Sequence, residues 1–269
     1  MNRTTTVLGG LGSGALLLGL LAALPVALPL APASVPAARA GATAGAKGSK
    51  PLAASATQAF WRQYNLSSLW QLQPGSSRPL NGFFGREGFR IELALLSVRR
   101  DAQQPQLYHV QGKSRCLKNL AVPFHGTIQL RQVYQAPADG QNPSYTVVGS
   151  FAFTEAPIAR NTGTYRGTFA ADLALVERGR LDYGRVEGSK AGGCGYKFDG
   201  QWRSTEGNTE PVVWGQDWRT LGEQFFGDFM MGDRTPSINR KYAERGWNRY
   251  WENDEWWADS PGATAQIGW

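Results

Sequence analysis

Phe89-Arg90-Ile91-Glu92-Leu93-Ala94-Leu95-Leu96 is the stretch whose reading decides the architecture. Phe89, Ile91, Leu93 and Leu95 occupy alternate positions, so an extended segment would have one apolar face. Arg90, Glu92, Ala94 and Leu96 would make the other face mixed. That period of two predicts a β-strand. The pattern recurs downstream between clusters of turn-forming residues at 101–105, 137–142, 157–163 and 179–193. Several short strands separated by such turns predict an all-β fold, an antiparallel up-and-down meander.

A smaller repeat runs through those strands: an apolar residue, any residue, Gly, any residue and often a second apolar residue. Its copies centre on Gly112, Gly126, Gly149, Gly167 and Gly200. Each glycine shares a face with its apolar flanks, so the glycines are predicted to point inward. In an antiparallel hairpin, opposed residues are equidistant from the turn. The midpoints of Gly112/Gly126, Gly126/Gly149, Gly149/Gly167 and Gly167/Gly200 all fall in turn-rich sequence, which predicts a row of glycines crossing the sheet. Inward glycines permit sharp coiling, so the sheet is expected to be strongly coiled or closed into a barrel.

Both ends of the chain depart from this pattern. Arg3, an apolar run from Ala15 to Leu30 and the Ala38-Arg39-Ala40 motif read as a signal peptide over residues 1–40, which implies export to a periplasmic or extracellular space. Pro25, Pro29 and Pro32 interrupt that run and argue against a membrane anchor, and no transmembrane segment is expected after cleavage. Residues 41–56 are small and polar and read as a flexible leader. Phe60, Trp61, Tyr64, Leu66, Leu69 and Trp70 then form an aromatic segment expected to dock on a single β domain spanning 57–258. After Val213 the period of two is lost. The aromatic residues there, among them Trp214, Trp218 and Phe229, read as an irregular wrap. A short helix from Asn239 to Arg245 would be capped by Ser237 and stopped by Gly246. The stretch 247–257 is aromatic and acidic, and 259–269 is expected to be a disordered tail.

Composition limits the chemistry. The formal net charge of the 269 residues is +7. Removing Arg3 and Arg39 from the 28 basic residues leaves 26 against 21 acidic ones. The bases are scattered rather than striped, which argues against nucleic acid as a partner. Weak attraction to anionic envelope surfaces is compatible with this charge. The two histidines, His109 and His125, alternate with apolar residues and should face outward, too few for a metal site. Neither a nucleophile elbow nor a phosphate loop is present, and no cofactor is implied. Cys116 and Cys194 are the only cysteines. Export would allow them to form one disulfide, closing a loop worth about 4 kcal/mol in the chain-entropy picture. Glu155, following Phe151 and Phe153 on the inward face, is the one core-side acid, and catalysis through it is a weak alternative.

The remaining candidates are aromatic. Phe153, Phe169 and Trp202 would line the barrel interior around a small apolar ligand. Alternatively, Trp251, Trp256 and Trp257, set among Glu252, Asp254 and Glu255, would make a surface platform for a glycan. Glycoside hydrolysis is the third reading. The leading expectation is a non-catalytic binding or envelope-associated module.

Several segments resemble a family of exported bacterial proteins of unknown function. They are Gly82-Phe83-Phe84-Gly85, Arg90-Ile91-Glu92, Val98 with Asp101 and Pro105, Tyr108-His109-Val110, Gly112-Lys113-Ser114-Arg115, Phe124 with Gly126-Thr127-Ile128, and Asn239 with Lys241-Tyr242 and Gly246-Trp247. The resemblance spans about residues 66 to 250 and implies no agreed activity. In general look the chain is similar to calycin-type barrels, which often hold small apolar ligands.

Overall fold

The computed structural model describes residues 48–73, 79–117, 119–137, 143–158, 161–232, 237–250 and 256–257. The readings of residues 1–40 as a signal peptide, of 259–269 as a tail and of Trp251 as a ligand contact fall outside them.

Eight strands form the framework: β1 (Leu80–Phe84), β2 (Phe89–Arg100), β3 (Leu107–Cys116), β4 (Val122–Gln135), β5 (Ser144–Glu155), β6 (Gly163–Val176), β7 (Tyr196–Ser204) and β8 (Thr209–Gly215). Each pairs antiparallel with the next, and β8 pairs back onto β1 through Val213↔Phe83 and Trp214↔Gly82. The ladder is therefore a closed ring of hydrogen bonds, which leaves no free edge among these eight strands. The expected meander and its coiling are both present. The connection from β6 to β7 holds an extra pairing, with Arg180–Tyr183 returning along β6.

Inward glycines allow the strands to approach closely, but their register differs from the expected row. Only Gly167 and Gly200 stand opposite one another. A Cβ built on Gly167 would lie 2.2 Å from the Asp199 carbonyl oxygen and 2.6 Å from the Gly200 Cα, so a side chain has no room there. The other glycines pair with apolar partners, mostly aromatic: Gly112 with Phe124, Gly126 with Phe153, and Gly149 with Phe169. Bulges between Leu95 and Ser97 and between Leu130 and Gln132 lie in the β2–β3 and β4–β5 ladders. The result is a stagger in which the Phe124 ring fills the space Gly112 leaves, while at Gly126 and Gly149 the backbone of the neighbouring strand comes close enough to exclude a side chain.

The interior is dominated by aromatic side chains. Phe198 stacks on Trp214 with ring centroids 5.1 Å apart, and touches Phe169 at 4.8 Å and Phe151 at 5.1 Å. Burying each such side chain contributes roughly 1.5–3 kcal/mol. Two helices close the barrel end where β1 begins, α1 (Ala54–Gln63) and α2 (Ser67–Trp70). Trp61, Leu66 and Trp70 join the interior cluster. Trp70 meets Tyr108 and Phe169, each at 4.9 Å. Arg100 Nη1 donates to the Trp61 carbonyl at 3.1 Å, satisfying an acceptor at the end of α1. The aromatic segment thus docks as expected. The leader is shorter than the composition suggested, because Lys50–Pro51 pairs with Gln135 and Tyr134 on β4 and α1 begins at Ala54.

A second apolar cluster covers the outer face of β1 and β8. Phe83 and Val213 point outward there and pack with Trp218, Leu221, Phe229, Tyr242 and Trp247. Part of this wrap is regular. Helix α3 (Trp218–Phe225) is capped by Asp217, whose side chain accepts from the Arg219 and Thr220 amides. The expected helix near the C-terminus is a 3-10 turn, Arg240–Arg245, and its cap is Asn239 rather than Ser237. Ser237 instead pairs with Met231, while Gly246 ends the turn in the left-handed conformation as anticipated. Trp247 folds back onto the barrel and donates Nε1 to the Gly88 carbonyl at 3.0 Å.

Candidate functional site

At the end of the barrel opposite the two helices, Glu155 projects inward from the last position of β5. Ser114 and Tyr165 each donate a hydroxyl to Oε1 at 2.7 Å. The Gly163 amide donates to Oε2 at 2.9 Å and Trp202 Nε1 at 3.0 Å. Four strands, β3, β5, β6 and β7, therefore meet at one carboxyl group. Burial, reinforced by the Glu155 carboxylate, pushes the Tyr165 hydroxyl well above its usual range and keeps it a donor. With its oxygens already accepting four hydrogen bonds, Glu155 acts as the knot that closes this end. Trp202, expected to touch a ligand, is committed to that knot.

The opposite mouth is different. Beside α2, between the plug and the ends of β1 and β2, a cleft of about 380 Å³ opens. Leu80, Leu93 and Leu95 give it an apolar side, Trp70, Tyr183 and Tyr196 give it rings, and Gln71 and Gln216 add amides. Among the described residues, Trp70 Nε1, on a residue lining this cleft, is a buried side-chain donor without a hydrogen-bond partner, whereas the Tyr183 hydroxyl interacts with that of Tyr196, the two rings stacking with centroids 5.2 Å apart. A buried donor left unpaired costs about 1–3 kcal/mol, so such atoms are uncommon and mark places where another molecule can contribute. The sequence singled out Trp70 as a docking residue but gave no sign that its ring nitrogen would stay unpaired. Tyr183 was hidden in a connection read as turn.

The other expected ligand residues fall elsewhere. Phe153 and Phe169 lie wholly inside, packed against Phe124, Phe151, Phe198 and Trp70. Trp256 is buried, with the Arg115 guanidinium 4.8 Å from its ring centroid, and it meets Trp257 edge-on at 84°. The two indoles thus do not form a flat platform. Arg115 belongs to a buried outer-face group in which Glu92 bridges Arg90 and Arg115, each at 2.9 Å, while Arg90 Nε donates to Asn81 at 2.7 Å. The face of β2 read as mixed is therefore covered, not solvated.

The expected disulfide is not formed, and Cys116 and Cys194 are both free thiols. Cys116 pairs with Ile91 near the Glu155 end and faces inward. Cys194 is buried in the outer cluster at the other end, where its carbonyl accepts from the Asp217 amide. Burial, with Glu92 and Glu155 nearby, pushes the Cys116 thiol up to about 12, and burial pushes Cys194 up to about 11. His109 and His125 face outward as expected, and His109 Nε2 lies 2.9 Å from the Asp101 carboxylate. Among the described residues no group of three or more His, Cys, Asp or Glu side chains is arranged to hold a metal. No described helix is long and apolar enough to cross a membrane. Comparison with protein-family profiles, curated proteins and solved structures finds no match to this chain.

Proposed function

We propose that this chain is a non-catalytic binding protein of the bacterial envelope, exported by its N-terminal segment, whose small ligand seats in the cleft beside α2. The supporting observation is the coincidence in one cleft of an apolar side, Leu80, Leu93 and Leu95, with a buried unpaired donor, Trp70 Nε1. A ligand that complements both has an apolar body and an acceptor oxygen, such as a carboxylate or carbonyl. Aromatic packing of the interior favours this mouth over the barrel axis, where a ligand would have to displace Phe151, Phe169 and Phe198.

Binding of 1-anilinonaphthalene-8-sulfonate, followed by its fluorescence and competed with decanoate, tests the reading. Both probes pair an apolar body with anionic oxygens. Saturable binding that decanoate displaces, weakened in Ser68→Trp, which fills the cleft from its exposed rim, is the expected result. Absence of binding, or equal binding to the Ser68→Trp variant, contradicts it. Displacement by chitotriose but not by decanoate would assign the cleft to a sugar instead.

A further inference from the structure

A second cleft, of about 630 Å³, lies where α1 ends and β2 runs into the β2–β3 turn, and it shares no lining residue with the cleft beside α2. Three guanidinium groups line it, from Arg62, Arg99 and Arg100, against one carboxylate, Asp101, so positive charge is in excess. The chain brings these bases together because β2 ends beside the plug. Arg100 Nη1 donates to the carbonyls of Trp61 and Tyr64 at 3.1 and 3.3 Å, which fixes the end of α1 next to β2. Arg62 stands in the last turn of that helix, where the negative end of the helix dipole favours a base. Arg99 is the neighbouring residue on β2, paired across the ladder with His109 on β3.

The Asp101 and Asn65 acceptors in this cleft are spent, while the guanidinium donors are not. Asp101 Oδ1 accepts from the Gln103 and Gln104 amides at 2.9 and 2.8 Å, and its Oδ2 lies 2.9 Å from His109 Nε2. Asn65 Oδ1 accepts from the Ser67 amide at 3.1 Å and the Ser67 hydroxyl at 2.8 Å, which leaves the Asn65 NH₂ group to donate elsewhere. Arg62 and Arg99 are exposed, and neither guanidinium has an ion-pair or hydrogen-bond partner among the described residues. Charged donors in surplus complement a molecule that brings negative charge and several acceptor oxygens. A carboxylate occupies one guanidinium fork, whereas a phosphate or diphosphate has oxygens for two or more. The volume is that of a small-molecule site.

We infer that this cleft binds the phosphate or diphosphate group of a small molecule, with Arg62 and Arg99 holding its oxygens from α1 and β2, Arg100 adding fixed positive charge and Asn65 a neutral donor. The inference is independent of the apolar ligand reading: Ser67 lines this cleft, and Ser68, Leu69 and Trp70 line the other.

Isothermal titration calorimetry of the full chain with inorganic pyrophosphate, at low and at high salt, tests it. Saturable binding at one site is expected, weakened at least about tenfold in an Arg62→Gln, Arg99→Gln double variant. High salt should weaken it in the parent as well. Arg100 is left intact because it holds the end of α1, and the melting curve of the double variant should be unchanged because both replaced side chains are exposed. Malonate, which carries two carboxylates in place of the phosphates, should bind more weakly than pyrophosphate. Absence of pyrophosphate binding, equal binding by the double variant, or equal binding of malonate overturns the inference. If free pyrophosphate does not bind but phosphatidic acid vesicles capture the parent more strongly than the double variant, the small-molecule site is overturned and the bases serve a lipid surface.

Discussion

Trp202 Nε1 donates to Glu155 Oε2 at 3.0 Å, tying β7 to the end of β5 across the intervening strand β6. Replacing Glu155 with Leu leaves that indole, the Gly163 amide and two hydroxyls without their acceptor, and should cost about 2–4 kcal/mol. Glu155→Gln should cost less, about 1–2 kcal/mol. Its amide oxygen can serve the two N–H donors while its NH₂ group meets Ser114 and Tyr165, whose hydroxyls can turn to accept. Urea denaturation of both variants checks the ranking, and a Gln variant weaker than the Leu variant would contradict it.

The close approach of Gly167 and Gly200 makes a second prediction. Alanine at either position places a methyl group on the neighbouring backbone and should destabilise by about 1–3 kcal/mol. Gly227, whose added Cβ would meet nothing within 4 Å, should accept alanine within about 0.5 kcal/mol. Thermal melts followed by circular dichroism distinguish the two classes.

Thiol reactivity provides a third test. With both thiols free and raised to about 12 and about 11, the native protein should react slowly with Ellman's reagent at mildly alkaline pH. In guanidinium, without reductant, both cysteines should react at once. A protein that releases no thiol under those conditions would instead contain the Cys116–Cys194 bridge.

Asp172 carries a pH-dependent prediction. It is buried on the outer face of β6 and accepts from Thr146 Oγ1 at 2.8 Å, Ser189 Oγ at 2.7 Å and the Val186 amide at 3.2 Å. Burial raises its carboxyl above the ordinary 3.8, and these three bonds only partly oppose the shift. A raised carboxyl favours folding below the unfolded value, and that contribution is lost as pH rises through the folded one. The stability of Asp172→Asn relative to the parent should therefore improve from acid toward neutral pH. Denaturant midpoints measured across that range check the slope, and a decline with rising pH would contradict the assignment.

Much of the barrel was legible because the inward strand faces carry a period of two from Ile91 to Trp202, whereas Trp214, read as part of the irregular wrap, instead sits on β8 with its ring in the barrel interior. The strand neighbours also followed from turn chemistry. The register did not, since the bulges near Leu95 and Leu130 are backbone events with no residue signature, and a one-residue slip moves every later pairing. Burial of Arg90 and Glu92 was equally hidden. It depends on the C-terminal wrap, more than a hundred residues away, which brings Trp247 to Gly88 and Trp256 over Arg115. Helix α3 was masked by its aromatic content, although Asp217 before Trp218 is a cap signal. At the candidate cleft, Trp70 could be placed by its apolar neighbours. That its nitrogen lacks a partner is a property of the assembled mouth alone.

Closure of the ring is the claim on which the interior, both barrel ends and the cleft depend. Cross-strand backbone NOEs between Gly82–Phe84 and Val212–Trp214 measure it directly. The account predicts antiparallel contacts pairing Phe83 with Val213 and Gly82 with Trp214. A β1 strand that shows contacts to β2 but none to β8 would mean an open sheet, and would contradict it.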